Sequence, residues 1–167
     1  MNSTWKEVIA EAVRTSDKTV ILAVGNPDKG DDGAGPACAA RLRARGADAP
    51  GGRLLVIDGR ETPESQTGLI RRFGPDVTII VDAALGGHPP GTIFIIERDK
   101  IADEGVSTHA ISLLYLVRYL EESIGSRVIV LGIEPMSLEL GAPMSAEVHN
   151  AVEEIVSELS LCFGKIS

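Results

Sequence analysis

The chain has 167 residues, 44% of them apolar, 24% charged and only 4% aromatic, with a formal net charge of −8. That length fits one compact domain with one core, filled here by aliphatic side chains. So acidic a chain argues against nucleic acid, whose affinity rests on Lys and Arg at phosphates, and suits a cytoplasmic protein or one that meets a basic partner.

In chain order, residues 3–15 have helical spacing, with Trp5, Val8, Ile9 and Val13 on one face. Residues 1–17 contain no long apolar run, so no signal peptide is expected. No stretch of the sequence approaches the ~20 apolar residues of a membrane span, so membrane insertion is not expected. Thr19–Val24 is an apolar run of strand length ended by Gly25-Asn26-Pro27. Pro36–Arg45 reads as a helix, with Pro36 in its first turn and Gly46 closing it. Residues 53–58 form a second strand, and Pro63–Phe73 a helix reached through Glu61-Thr62 and stopped at Gly74-Pro75. Val77–Val81 is a third strand and Thr92–Glu97 a fourth. A long helix over Ala110–Ser123, a fifth strand over Val128–Ile133 and a closing helix over Ser145–Phe163 complete the series.

Continuous apolar strands separated by helices predict an α/β three-layer sandwich: a mostly parallel, twisted five-stranded sheet with helices on both faces. The gap between Val81 and Thr92 holds no helix, so the fourth strand is expected to run antiparallel to the third. Residues 1–17 are expected to form an N-terminal helical extension to a domain over 18–163. Ligands of such sheets bind beyond the carboxyl ends of the strands.

Three places at that edge carry chemistry. The loop after the first strand, GNPDKGDDGAGP at 25–36, holds four glycines and the acids Asp28, Asp31 and Asp32. Glycines at such a turn usually mark a phosphate loop, but three acids, one lysine and the absence of GxGxxG or GK[ST] point to a cation instead. The plain alternative is an Asp stabilising a helix N-terminus, which explains one acid better than an adjacent pair. Asp82 directly follows the strand VTIIV and lands at the same edge, as a ligand or as a cap of a helix or turn. His109 follows Ser107 and Thr108, either of which can cap the next helix. In the first turn of that helix the dipole would favour neutral imidazole, the form that binds metal.

His88, in a Gly/Pro turn, and His149, beside the apolar series of the last helix, read as surface groups. Cys38 and Cys162 have no CxxC or zinc spacing and read as core residues. Two carboxylates and an imidazole make an O, O, N set with open positions; oxygen ligands suit harder cations, while imidazole suits nickel, zinc, copper or iron. No GxSxG, HExxH or cysteine triad is present.

These segments together resemble the hydrogenase maturation protease family, over about Thr19 to Phe163. The resemblance is carried by GNPDKGDDGAGP at 25–36, VIDG at 56–59, IIVDA at 79–83, STH at 107–109 and LGIEP at 131–135. GDDGAGP leans toward the branch that serves membrane-associated, hydrogen-evolving complexes.

The resemblance implies an endopeptidase that removes the C-terminal extension of a nickel-iron hydrogenase large-subunit precursor once nickel is inserted. It implies metal contact by Asp32, Asp82 and His109, with the nickel supplied by the precursor. Asp32 or Asp82 would activate water as general base, or the metal would polarise the scissile carbonyl. A spore-protein protease of the same fold is longer and lacks this loop. A non-catalytic nickel-binding assembly chaperone would use the same three ligands without cutting.

Overall fold

In the computed structural model, residues 3–47, 52–101, 106–107 and 109–163 are described. Helix α1 (Trp5–Arg14) opens with a capping box, in which the Thr4 side chain accepts from Glu7 N and the Glu7 side chain accepts from Thr4 N. It leads to β1 (Thr19–Ala23), a short 3-10 turn over Gly30–Gly33, and α2 (Ala34–Ala44). Then come β2 (Leu54–Asp58), a 3-10 turn at Pro63–Gln66 continued as α3 (Thr67–Phe73), and β3 (Val77–Ala83). The chain ends with β4 (Ile93–Ile95), α4 (Arg98–Ile101), α5 (Ala110–Tyr119) with a π turn over Leu120–Ile124, β5 (Arg127–Ile133) and α6 (Ala146–Cys162).

The five strands form one sheet in the order β2-β1-β3-β5-β4, parallel except for β4. The fourth strand does run against the third, but it does not pair with it. It hydrogen-bonds to β5, with Phe94 opposite Gly132. Direction could be read from the short gap; the neighbour depends on β5, which arrives later in sequence. The sheet also extends β3 two residues past Val81, because Asp82 pairs with Gly132 and Ala83 with Ile133. Asp82 is therefore a strand residue rather than the first residue of a loop.

Successive side chains on a strand point to opposite faces, and this builds two cores. Ile21, Ile79, Val81, Ile129 and Leu131 meet α1, α2 and α6 on one side. Leu22, Ile80 and Val130 meet α3 (Ile70) and α5 (Leu113, Leu116, Val117) on the other. Every residue of β1 and β3 is buried, which is why these runs show no polar alternation. Ile9, Ala12 and Val13 of α1 belong to the same core as α6.

The layered arrangement fixes the location of the cleft. From β1 the chain passes through α2 to β2 on one side, then through α3 to β3 on the other. The segments leaving β1 and β3 thus diverge, and such a switch point leaves a crevice at the strand ends.

Candidate active site

Two adjacent acids in the loop after β1 have opposite roles. Asp31 is 1% exposed and faces the segment after β5. Its Oδ1 accepts Ser145 N at 2.7 Å, and its Oδ2 accepts Met136 N at 2.8 Å, Ser137 N at 3.3 Å and Ser145 Oγ at 2.9 Å. Backbone bonds reinforce the contact, Asp31 N donating to Ser137 O at 2.9 Å and Gly141 N to Asp28 O at 2.7 Å. Asp31 is a clamp between two loops. Asp32, 3% exposed, turns the other way, and its Oδ2 accepts Asn26 N at 2.8 Å. Burial raises the pKa of its carboxyl above the ordinary value; the Asn26 bond opposes this and the neighbouring charge of Asp82 adds to it.

Asp82 and His109 form the second half of the site. Asp82 is fully buried; its Oδ2 accepts Ser107 Oγ at 2.6 Å and lies 3.6 Å from His109 Nδ1. Its Oδ1 is buried without a hydrogen-bond partner among the described residues. Ser107 Oγ also accepts His109 N at 3.0 Å, so one hydroxyl holds both groups. Of the two hydroxyls expected to cap this helix, Thr108 lies outside the described residues.

His109 differs from expectation in two respects. It is the residue before the first turn of α5, with φ −107°, rather than a member of that turn. Its pKa is raised, not lowered. The hydrogen bond with Asp82 is the largest cause, burial opposes it, and the charges of Asp82, Asp32 and Glu61 add to it. Three carboxylates outweigh one helix dipole, whose influence is confined to the first turn.

The structure brings ligand atoms of Asp32, Glu61 and His109 within 4.8 Å of one another. Asp82 is not one of that trio and adjoins it through His109. Glu61 was not singled out in the sequence, where it precedes a helix as one exposed acid among many. Glu134 also escaped notice: it is 5% exposed and its Oε2 accepts Gly86 N at 2.7 Å, tying the segment after β3 to the end of β5. The acid in LGIEP was the available signal for it. His88 and His149 are exposed, as expected, His88 against Phe94 and His149 against Arg41. Cys38 is buried, whereas Cys162 is only half-buried, because it ends α6 at the rim of the core.

The family model of hydrogenase maturation proteases matches residues 36–160. The hydrogenase 3 maturation protease of Escherichia coli (strain K12) is 43% identical over 141 residues, covering 84% of this chain and 87% of its own length. A crystal structure of a hydrogenase 3 maturation protease superposes with a TM-score of 0.75 at 40% identity, covering 90% of this chain and 94% of that one. The NiFe hydrogenase maturation protease HycI from Thermococcus kodakarensis KOD1 superposes with a TM-score of 0.83 at 29% identity, covering 93% and 98%. With the family model spanning most of the chain and a relative this similar over most of its length, the chain belongs to the hydrogenase maturation protease family and is an endopeptidase of that kind.

Proposed function

We propose that this endopeptidase removes the C-terminal extension of a nickel-iron hydrogenase large-subunit precursor after nickel insertion, and that Asp32, Asp82 and His109 meet the nickel the precursor carries. The observation that carries this reading is Asp82 Oδ1, a carboxylate oxygen of a fully buried residue with no hydrogen-bond partner among the described residues. Buried polar atoms are ordinarily satisfied, and one left alone costs about 1–3 kcal/mol or more when charged. A cation entering the cleft supplies the missing partner. Two carboxylates and an imidazole suit a divalent first-row metal, and three protein ligands leave positions for groups of the precursor. Nickel is here part of the substrate.

The chain's own residues divide the remaining work. Asp32 is placed to take a proton from water, because burial makes its carboxylate a stronger base than an exposed one. Asp82 orients the His109 ring through Nδ1, as carboxylates behind metal-binding imidazoles do. Ser107 is engaged in positioning, its hydroxyl donating to Asp82 and accepting from His109 N. Cys38 lies on the buried face of α2, and burial pushes its thiol up to about 12. The hydrolysis is accordingly of the aspartyl type, with water as nucleophile. Both cysteines are free thiols, which suits the reducing cytoplasm, where the precursor would be met. Among the described residues no helix is long and apolar enough to cross a membrane.

The test is to incubate wild type and Asp32→Asn with nickel-loaded and nickel-free precursor and to score the released tail by mass. Wild type should cut only the loaded precursor, and the variant should cut neither. Equal cutting of both precursors would refute the dependence on nickel, and full cutting by the folded variant would remove Asp32 from the machinery.

A further inference from the structure

Glu61 stands on the segment between β2 and α3, outside the set that the sequence singled out. The two residues before it are tied to the end of β1: Gly59 N donates to Ala23 O at 2.8 Å, and Gly25 N donates to Arg60 O at 2.9 Å. Arg60 adopts a left-handed φ of 49°, and the chain turns there toward the loop after β1. Glu61 itself is exposed, yet it offers a carboxylate oxygen within 4.8 Å of ligand atoms of both Asp32 and His109.

We propose that Glu61 is a further ligand of the nickel-bearing substrate, closing the site from the solvent side opposite the buried Asp82. The proposal rests on the reading above. Beyond the cluster itself, it draws on the same buried Asp82 Oδ1, which has no hydrogen-bond partner among the described residues and belongs to the carboxylate that touches His109. One side of the imidazole thus carries a buried acceptor without a donor, and Asp32 and Glu61 converge with the same ring. Placing three carboxylates around one imidazole is costly unless a positive charge joins them. An exposed Glu has the reach and freedom to meet an ion that arrives with another protein, whereas a fully buried group such as Asp82 is held in place before it arrives. Negative charge contributed from the rim also raises the affinity of a cation site whose other ligands are fixed.

The competing explanation is an ion pair between Glu61 and a protonated His109, with no part in metal binding. The two are separated by calorimetric titration of the full chain with Ni²⁺ alone at pH 7.5, for wild type, Glu61→Gln, Glu61→His and Asp32→Asn, with the fold of each checked by thermal melting. If Glu61 is a ligand, Glu61→Gln weakens binding roughly tenfold, which corresponds to about 1.4 kcal/mol. Glu61→His restores it, since imidazole suits nickel, and Asp32→Asn weakens it further. Glu61→Gln binding as tightly as wild type while Asp32→Asn loses the ion would overturn the role of Glu61 and leave the three-residue site standing. Failure of Glu61→His to recover affinity lost in Glu61→Gln would likewise count against a ligand role. Wild type that takes up no nickel even at millimolar concentration would overturn the whole metal reading, Glu61 with it.

Discussion

Asp31 and Ser145, 114 residues apart in sequence, are joined by two hydrogen bonds: Ser145 N to Oδ1 at 2.7 Å and Ser145 Oγ to Oδ2 at 2.9 Å. Ser145 is also the N-cap of α6, where its side chain accepts Val148 N. The start of the last helix is therefore fastened to the turn that presents Asp32. The two loops are held together by this carboxylate and by the backbone bonds Asp31 N to Ser137 O and Gly141 N to Asp28 O.

Asp31→Asn should be destabilising. The carboxylate accepts four bonds, and an amide would turn an NH₂ toward at least one donor. Hydrogen bonds to a charged group contribute about 1.5–3 kcal/mol, and a loss on that order should appear as a lowered Tm. Asp28 is exposed and makes the better neutral control. Equal melting of Asp31→Asn and Asp28→Asn would show that the clamp carries no stability.

Asp32→Asn should behave in the opposite way. The pKa of Asp32 is raised in the folded state, chiefly by burial. A group that holds its proton more tightly when folded contributes stability below its unfolded pKa and loses that contribution as pH rises through the folded value. At neutral pH the ionised Asp32 therefore costs stability, and Asn removes the cost while its amide oxygen still accepts Asn26 N. Thermal melts should place the variant at or above wild type at pH 7, with the difference vanishing toward pH 4, while processing of the precursor is lost. A lower Tm at pH 7 would mean that the charge serves as a helix cap.

The contrast between Asp31 and Asp32 shows what was legible in the sequence. Local patterns were enough for the strands, because β1 and β3 are buried on both faces and read as unbroken apolar runs. The stop of α3 was legible as well, since Gly74 takes φ 70° at its C-cap. The loop at 25–36 announced itself by an acidic pair among glycines. Which acid faces the cleft was indicated only by the family resemblance, which points to Asp32, because Asp31 finds its partners far away at residues 136–145. Glu61 was hidden for the same reason: only the neighbouring positions of β2 and β1 bring it to Asp32. The four-residue α4 falls below the length at which periodicity can be seen. The protonation tendency of His109 was misjudged because the helix dipole is visible in sequence and three converging carboxylates are not.

Ser107→Ala should separate positioning from stability. Ser107 Oγ donates to Asp82 at 2.6 Å and accepts His109 N at 3.0 Å. Removing it costs about 1 kcal/mol as a lost hydrogen bond, and it also takes the hydroxyl donor from Asp82 Oδ2, so the carboxylate beside the His109 ring is held less firmly. Processing should fall at least tenfold in kcat, with KM for the precursor little changed. Ser107→Thr, which keeps the hydroxyl, should recover most of the activity. An equal loss in the Thr variant would mean that the hydroxyl is not what holds the pair.

Gly35→Ala should be among the most damaging small substitutions in the chain. A Cβ at this position would lie 2.4 Å from Val24 O, 2.6 Å from Val81 O and 2.9 Å from Val24 N. All three are backbone atoms, and Val24 N already donates to Val81 O at 2.9 Å, so the obstacle is the hydrogen-bonded end of β1 and β3 rather than a side chain that can swing aside. The only relief is for α2 to lift from the sheet. Such overpacking costs about 1–3 kcal/mol, occasionally more. The 3-10 turn bearing Asp31 and Asp32 runs directly into α2, so lifting the helix also moves the site. Both Tm and processing should drop together. Gly68→Ala provides the control: Gly68 is exposed on α3, the nearest atom to its Cβ is Arg72 Nη1 at 3.9 Å, and Ala there should raise stability by about 0.4–1 kcal/mol. If Gly35→Ala melted as high as Gly68→Ala, the close approach of α2 to the strand ends would not be what seats the loop that bears Asp32.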